Sequence, residues 1–173
     1  EYLTMASTGN GTDFGDLTTS RKYLGGTSSL TRGIFVGGTP YNAPSSPAHA
    51  NIIDYVTMAS TGNATDFGDT TFGSTGGSSY SKGFSDGHGG LEAYDPRLIP
   101  VGSGRGFMCG GQGPSVTTYI DLVNINTLGN ASDFGDISVA RADCGAAASY
   151  TRAIIGGGNT PTPQTDIIDS FNM

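Results

Sequence analysis

Carboxylates recur in this chain at a fixed spacing. Asp13 and Asp16, Asp66 and Asp69, and Asp133 and Asp136 each bracket a Phe-Gly pair. Oxygen donors gathered this way could help hold a calcium ion, a hard cation that takes roughly six to eight oxygens. The full ligand spacing of a calcium loop is missing, and Asx-turns at strand ends account for the same aspartates. Asp-Phe-Gly also occurs in protein kinases, but no His-Arg-Asp loop or Gly-rich lysine strand accompanies it here. His49 and His88 are the only histidines and sit in different loops, which argues against a hydrolytic triad. Cys109 and Cys144 have no CxxC partner or His cluster, so they read as small apolar core residues rather than zinc ligands. Asn10, Asn63 and Asn130 stand in Asn-x-Thr/Ser acceptors and read as turn residues. The glycine run 87–90 is not followed by Gly-Lys-Ser/Thr, so it is no phosphate loop.

One segment gathers a different set of groups. Leu91 to Gly104 (LEAYDPRLIPVGSG) carries Tyr94, Asp95 and Arg97, with His88 just before it. An aromatic face that stacks on a pyranose, flanked by carboxylate and guanidinium groups that bond its hydroxyls, suits sugar binding. The competing reading is a solvated loop or a contact between subunits.

The elements that must position these groups are set by repetition, which has to be read first. TMASTGNGTDFGD (4–16) returns as TMASTGNATDFGD (57–69) and as NINTLGNASDFGD (124–136). The tetrads starting at Asp13, Asp66 and Asp133 are spaced by 53 and 67 residues. Before each tetrad, and once more near the end, lies a strand-like stretch: EYLTM (1–5), NIIDYVTM (51–58), YIDLVNI (119–125) and DIIDSFNM (166–173). Residues two apart share a strand face. Leu3 and Met5, Val56 and Met58, Val123 and Ile125, and Phe171 and Met173 therefore make one apolar face in all four copies, while Ile53, Tyr55 and Thr57 make a mixed face expected to pack less completely. Gly-Asn turns (9–10, 62–63, 129–130) lead into return strands with Phe14, Phe67 and Phe134 as buried aromatics.

Further short strands follow. Arg21 to Gly26 matches Arg141 to Ala146, and Arg32 to Gly38 matches Arg105 to Gly111 and Arg152 to Gly158, each ending in glycines. The middle repeat departs between Thr70 and Gly104, where Lys82 to His88 imitates the Arg-Gly strand weakly. Repeats of about 1–53, 54–120 and 121–168, with an extra strand 166–173, make a single domain over 1–173.

Composition narrows the function classes. Of 173 residues 29 are Gly, about 17%, against ~7% in average proteins, and here they punctuate short strands. Hydrophobic residues at 35%, with 8 Tyr and 8 Phe, suffice for packed sheets and exclude disorder. Net charge −7, with no basic cluster, disfavours nucleic acid and anionic lipid, and no apolar run reaches the ~18 residues of a membrane span.

Four strand candidates and a double glycine in about 50 residues resemble the blade of a kelch-type propeller. The resemblance rests on Gly37-Gly38, Gly110-Gly111 and Gly157-Gly158 and on the apolar strand around Tyr55; there is no Trp, so Phe14, Phe67 and Phe134 stand in its place. IDYVTMASTGNATDFGD and LTRGIFVGG are similar to kelch-like repeats in tail-fibre and other virion proteins of marine, especially cyanobacterial, bacteriophages. That resemblance implies an all-β fold of kelch-like four-stranded blades, with about three repeats forming a partial or oligomer-completed β-propeller. Residues 1–20 are available to donate a missing outermost strand, yet 1–5 duplicates 169–173. About three blades fall below the usual ~4–8, so the chain is expected to belong to a longer polypeptide or to assemble in copies.

The implied function is a non-enzymatic virion structural protein, a tail-fibre or appendage module on the particle surface. Its expected partners are other virion proteins, copies of itself and host-surface glycan, the last through His88, Tyr94, Asp95 and Arg97; no cofactor or metal is expected. The alternative is an assembly module with no receptor role. The copper chemistry of kelch enzymes resembling galactose oxidase needs paired His ligands and is not carried over.

Overall fold

Short β-branched or aromatic runs stopped by glycine can pair with their sequence neighbours but cannot continue, and the chain pairs them in meanders. The computed structural model describes residues 1–4, 6–41, 50–71, 80–86, 104–149, 151–161 and 164–173. Among these the strands are β1 (Arg21–Lys22), β2 (Gly25–Ser28), β3 (Arg32–Val36), β4 (Thr39–Pro40), β5 (Ile52–Thr57), β6 (Thr65–Asp69), β7 (Lys82–Ser85), β8 (Arg105–Cys109), β9 (Tyr119–Asn124), β10 (Ser132–Asp136), β11 (Gly145–Ala148), β12 (Arg152–Gly156) and β13 (Ile168–Asn172). The fold is all-β. No helix occurs among the described residues, and so none that is long and apolar enough to cross a membrane.

Every pairing is antiparallel. The first large sheet runs β2-β3-β5-β6, the second β7-β8-β9-β10, and the third β11-β12-β13; β1 and β4 form a separate two-stranded ribbon. None of these sheets is closed on itself. The three leading strands, β2, β7 and β11, lie side by side where the sheets converge. At this convergence a Cβ on Gly83 would collide with the carbonyl of Gly26, which is why the second residue of β7 has no side chain.

Two apolar layers separate the three sheets. Ile34, Val36, Ile53 and Phe67 of the first meet Met108, Val123 and Ile125 of the second. Phe107, Cys109 and Ile120 of the second then meet Ala153 and Ile155 of the third, with Phe171 and Met173 at the margin. Both cysteines are free and buried in this second layer, the position expected for small apolar residues.

The second and third copies of the Asp-Phe-Gly-Asp phrase are β-bulges. Asp54 pairs with Asp66 and Ile53 with Gly68, so Phe67 is the extra residue, and its ring turns into the first layer. The same shift in β10 leaves Phe134 as the extra residue between Asp133 and Gly135.

The structure corrects several expectations. Lys82–Ser85 pairs as the counterpart of β2 and β11, not of the Arg-Gly strand, whose middle version is β8. Residues 1–4 form no strand and make one bridge, Tyr2 to Thr12. Glu1, Tyr2 and Phe14 to Leu17 lie against the first sheet and leave β13 an edge strand, so they donate nothing to the third sheet within the chain. Of the three aromatics expected inside, Phe67 is buried, Phe14 is half-buried and Phe134 is 38% exposed. In β5 the mixed face is the better covered one: Ile53 is fully buried while Met58 is 52% exposed, because the mixed face looks toward the second sheet.

Candidate functional site

Each leading strand is entered through a residue in the left-handed region: Tyr23 (φ 63°), Tyr80 (φ 61°) and Asp143 (φ 56°). Such backbone is costly for an aromatic and persists where the surroundings over-determine it. Here a hydrogen-bonded ladder does so. The Tyr80 amide donates to the Tyr23 carbonyl at 2.9 Å, and the Asp143 amide donates to the Tyr80 carbonyl at 3.3 Å. The two tyrosine rings stack with centroids 4.2 Å apart and planes 24° from parallel. Lys22 places its ammonium 5.0 Å from the Tyr23 ring, and Asn159 Nδ2 donates to Asp143 Oδ2 at 3.1 Å. Hydrogen bonding to Tyr23 raises the Tyr80 phenol above its ordinary pKa.

Beyond this ladder the leading strands line an open cleft of about 250 Å³, walled by Gly26–Ser28, Gly83–Ser85 and Ala146–Ala148. Small residues at these positions let three strands approach and leave the space. The Ser85 hydroxyl, 2.6 Å from the Ser28 carbonyl, ties two of them together at the far end.

The sequence-derived candidates His88, Tyr94, Asp95 and Arg97 lie outside the described residues, as does His49. What is described is the clamp from which their segment departs. Asp86 Oδ1 accepts from the Arg105 amide at 2.9 Å and Oδ2 from Arg105 Nε at 3.0 Å. In the first sheet the equivalent connection is a tight three-residue turn in which the Ser29 hydroxyl accepts from the Arg32 amide at 3.2 Å, and in the third the Ser149 hydroxyl accepts from the Arg152 amide at the same distance. In the second sheet a buried carboxylate, one residue beyond cleft-lining Ser85, thus joins the two described residues that flank the insertion in sequence.

Tyr23 and Asp143 stood in aligned positions of the first and third repeats, but Tyr80 was hidden because the segment before Lys82–Ser85 matches neither of them in sequence. Left-handed backbone at an aromatic leaves no mark in composition, so the ladder had no sequence signal beyond that alignment.

No known protein family matches this chain, and no curated protein does either.

Two of the repeated aspartates serve local structure. Asp13 and Asp133 accept from the Gly15 and Gly135 amides at 3.2 and 3.0 Å, the Asx-turn geometry. No group of three or more metal-ligating side chains is found among the described residues. Asn63 and Asn130 have a role the sequence did not suggest. Asn63 Oδ1 accepts from the Asp16 amide and Asn130 Oδ1 from the Asp69 amide, each at 3.0 Å. Around them, Gly62 and Ala64 donate to the Phe14 and Asp16 carbonyls, and Gly129 and Ala131 donate to the Phe67 and Asp69 carbonyls. One three-bond junction thus links each of the first two Phe-Gly-Asp stretches to the next Gly-Asn turn.

Burial pushes the Cys109 thiol far above its ordinary pKa and raises Cys144 as well. A protonated, enclosed thiol is a poor nucleophile.

Proposed function

We propose that this chain is a non-enzymatic structural module of a bacteriophage virion, built of kelch-like propeller blades and carried in a tail fibre or comparable appendage on the particle surface. The observation that supports this reading best is the junction made twice by equivalent residues, Phe14-Asp16 on Gly62-Ala64 and Phe67-Asp69 on Gly129-Ala131. A scaffold that repeats one sheet-to-sheet link is suited to ordered stacking. The stacked Tyr23-Tyr80 pair, with Lys22 and Asp143 beside it, and the clamped segment carrying His88, Tyr94, Asp95 and Arg97, are the surfaces that would meet a host glycan.

Antibodies against the chain should decorate intact phage particles in electron micrographs; labelling confined to host-cell material would overturn the virion assignment. A glycan array then separates adhesion from pure assembly. Binding lost in Tyr94→Ala and Tyr80→Ala supports a receptor role. Absence of binding by the assembled protein leaves the second reading, an assembly module with no receptor, which the exposed sheet edge at β13 favours.

A further inference from the structure

Both halves of a third junction are present, exposed and unjoined. At one end Phe134 and Asp136 offer the carbonyls, and Asp136 the amide, that Phe67 and Asp69 use in the second junction, and none of these groups has a partner among the described residues. Gly135 has the backbone of Gly68 (φ 147° against 150°), but a Cβ on Gly68 would lie 2.5 Å from the Gly129 carbonyl, whereas one on Gly135 would meet nothing within 4 Å. At the other end Gly9, Asn10 and Gly11 repeat Gly62-Asn63-Ala64, are exposed, and likewise make no such bonds.

The apolar faces show the same mismatch. Ile154 and Ile168 occupy the places of Ile34 and Ile53, which are 1% and 0% exposed, yet they are 45% and 72% exposed. The residues that should cover them, by analogy with Met108, Val123 and Ile125, are Phe35, Val56 and Met58 of the first sheet. These three line a cavity of about 400 Å³, which Tyr2, Phe14 and Leu17 only partly close.

We propose that two copies of the chain join head to tail through this third junction. It rests on the stacking reading above. The Thr8–Asp16 segment of one copy lies along edge strand β13 of its partner. Its Gly9-Asn10-Gly11 turn takes the Phe134 and Asp136 carbonyls and the Asp136 amide, and its first sheet covers Ile154 and Ile168. β13 then stands where Glu1–Thr4 stand now, so Thr12 exchanges its single bridge to Tyr2 for Ser170, the equivalent position in β13. An exposed strand edge is a ready template for such pairing. Two copies bring six large sheets, within the roughly 4–8 of closed propellers.

Paired cysteines test the contact. Asn10→Cys with Asp136→Cys, mildly oxidised, should give a covalent species of about twice 17.6 kDa or a higher multiple on a non-reducing gel, while either single variant stays at one chain. Native Cys109 and Cys144 are buried and do not compete. Asp16→Cys with Asn63→Cys, the internal equivalent, should close within one chain. If it fails to close, the stacking reading fails; if it closes and the first pair gives no intermolecular bridge, only the present proposal falls. A bridge formed inside one chain by the first pair also overturns it. Without cross-linking, Asn10→Ala should weaken association roughly fivefold to tenfold in sedimentation, the effect of one hydrogen bond. Removing residues 1–4 should strengthen association; unchanged association in both variants argues against strand exchange.

Discussion

Arg21 Nη2 lies 2.6 Å from Asp54 Oδ2, and both side chains are wholly buried. The same carboxylate accepts from the Thr18 amide at 3.3 Å and its hydroxyl at 2.7 Å. Burial lowers the Arg21 pKa, and the Asp54 charge opposes that shift. Arg141 and Asp169 repeat the pair at 2.7 Å in the third sheet, where Ser138 takes the place of Thr18. In the second sheet Asp121 is as buried as Asp54 and accepts from the Thr71 amide and hydroxyl, but has no ion pair among the described residues.

Breaking the pair leaves a buried cation uncompensated. Asp54→Asn should therefore destabilise the fold by about 3–5 kcal/mol, read as a lowered urea midpoint with an unchanged m-value. Loss below 1 kcal/mol would mean that water reaches Arg21.

Asp121→Asn should behave in the opposite way. Burial is the main influence on Asp121 and raises its carboxyl above the ordinary value, against the pull of the Thr71 bonds. The folded protein thus holds this proton more tightly than the unfolded chain. Its favourable contribution is full below the unfolded carboxylate pKa and is lost as pH rises through the folded one. The Asn variant escapes that loss, so its stability relative to the parent should grow between pH 4 and pH 7. Urea titrations of both proteins at the two pH values check the sign.

Asn63→Ala and Asn130→Ala each remove the acceptor of a junction amide. Each should cost about 1 kcal/mol and speed hydrogen exchange at Asp16 or Asp69. Asn10→Ala makes no such bond within the chain and should leave the thermal midpoint of the separated monomer unchanged.

Gly68→Ala and Gly135→Ala share the same unfavourable φ and differ in what a methyl group would meet. The first should cost about 1–3 kcal/mol more than the second, the range for overpacking a close contact. Equal losses in thermal unfolding of the separated monomer would show that the sheets do not approach as closely as Gly68 and Gly129 require.

Most of the strands were legible because glycines stop them and a recurring apolar pattern marks them; the repeat boundaries were not, since the first sheet runs from Gly25 to Asp69, across the expected division at residue 53. Lys82–Ser85 was left without a place because Lys-Gly-Phe resembles Arg-Gly-Phe locally, and only its pairing with Arg105–Cys109 shows which strand it is. The Asn63 and Asn130 bonds were not legible either. Their partners, Asp16 and Asp69, are 47 and 61 residues away, and nothing in a turn signature says what its side chain reaches.

The sequence alone determined an all-β chain of repeated hairpins, since periodicity of two and glycine punctuation are local properties of the backbone. Which face of each strand is covered was decided only by the tertiary structure. Ile53, Ile120 and Ile168 occupy the same place in their sheets, yet the first two are buried and the third is open. Burial depends on whether another sheet stands in front, and that is a property of the stack, not of the strand.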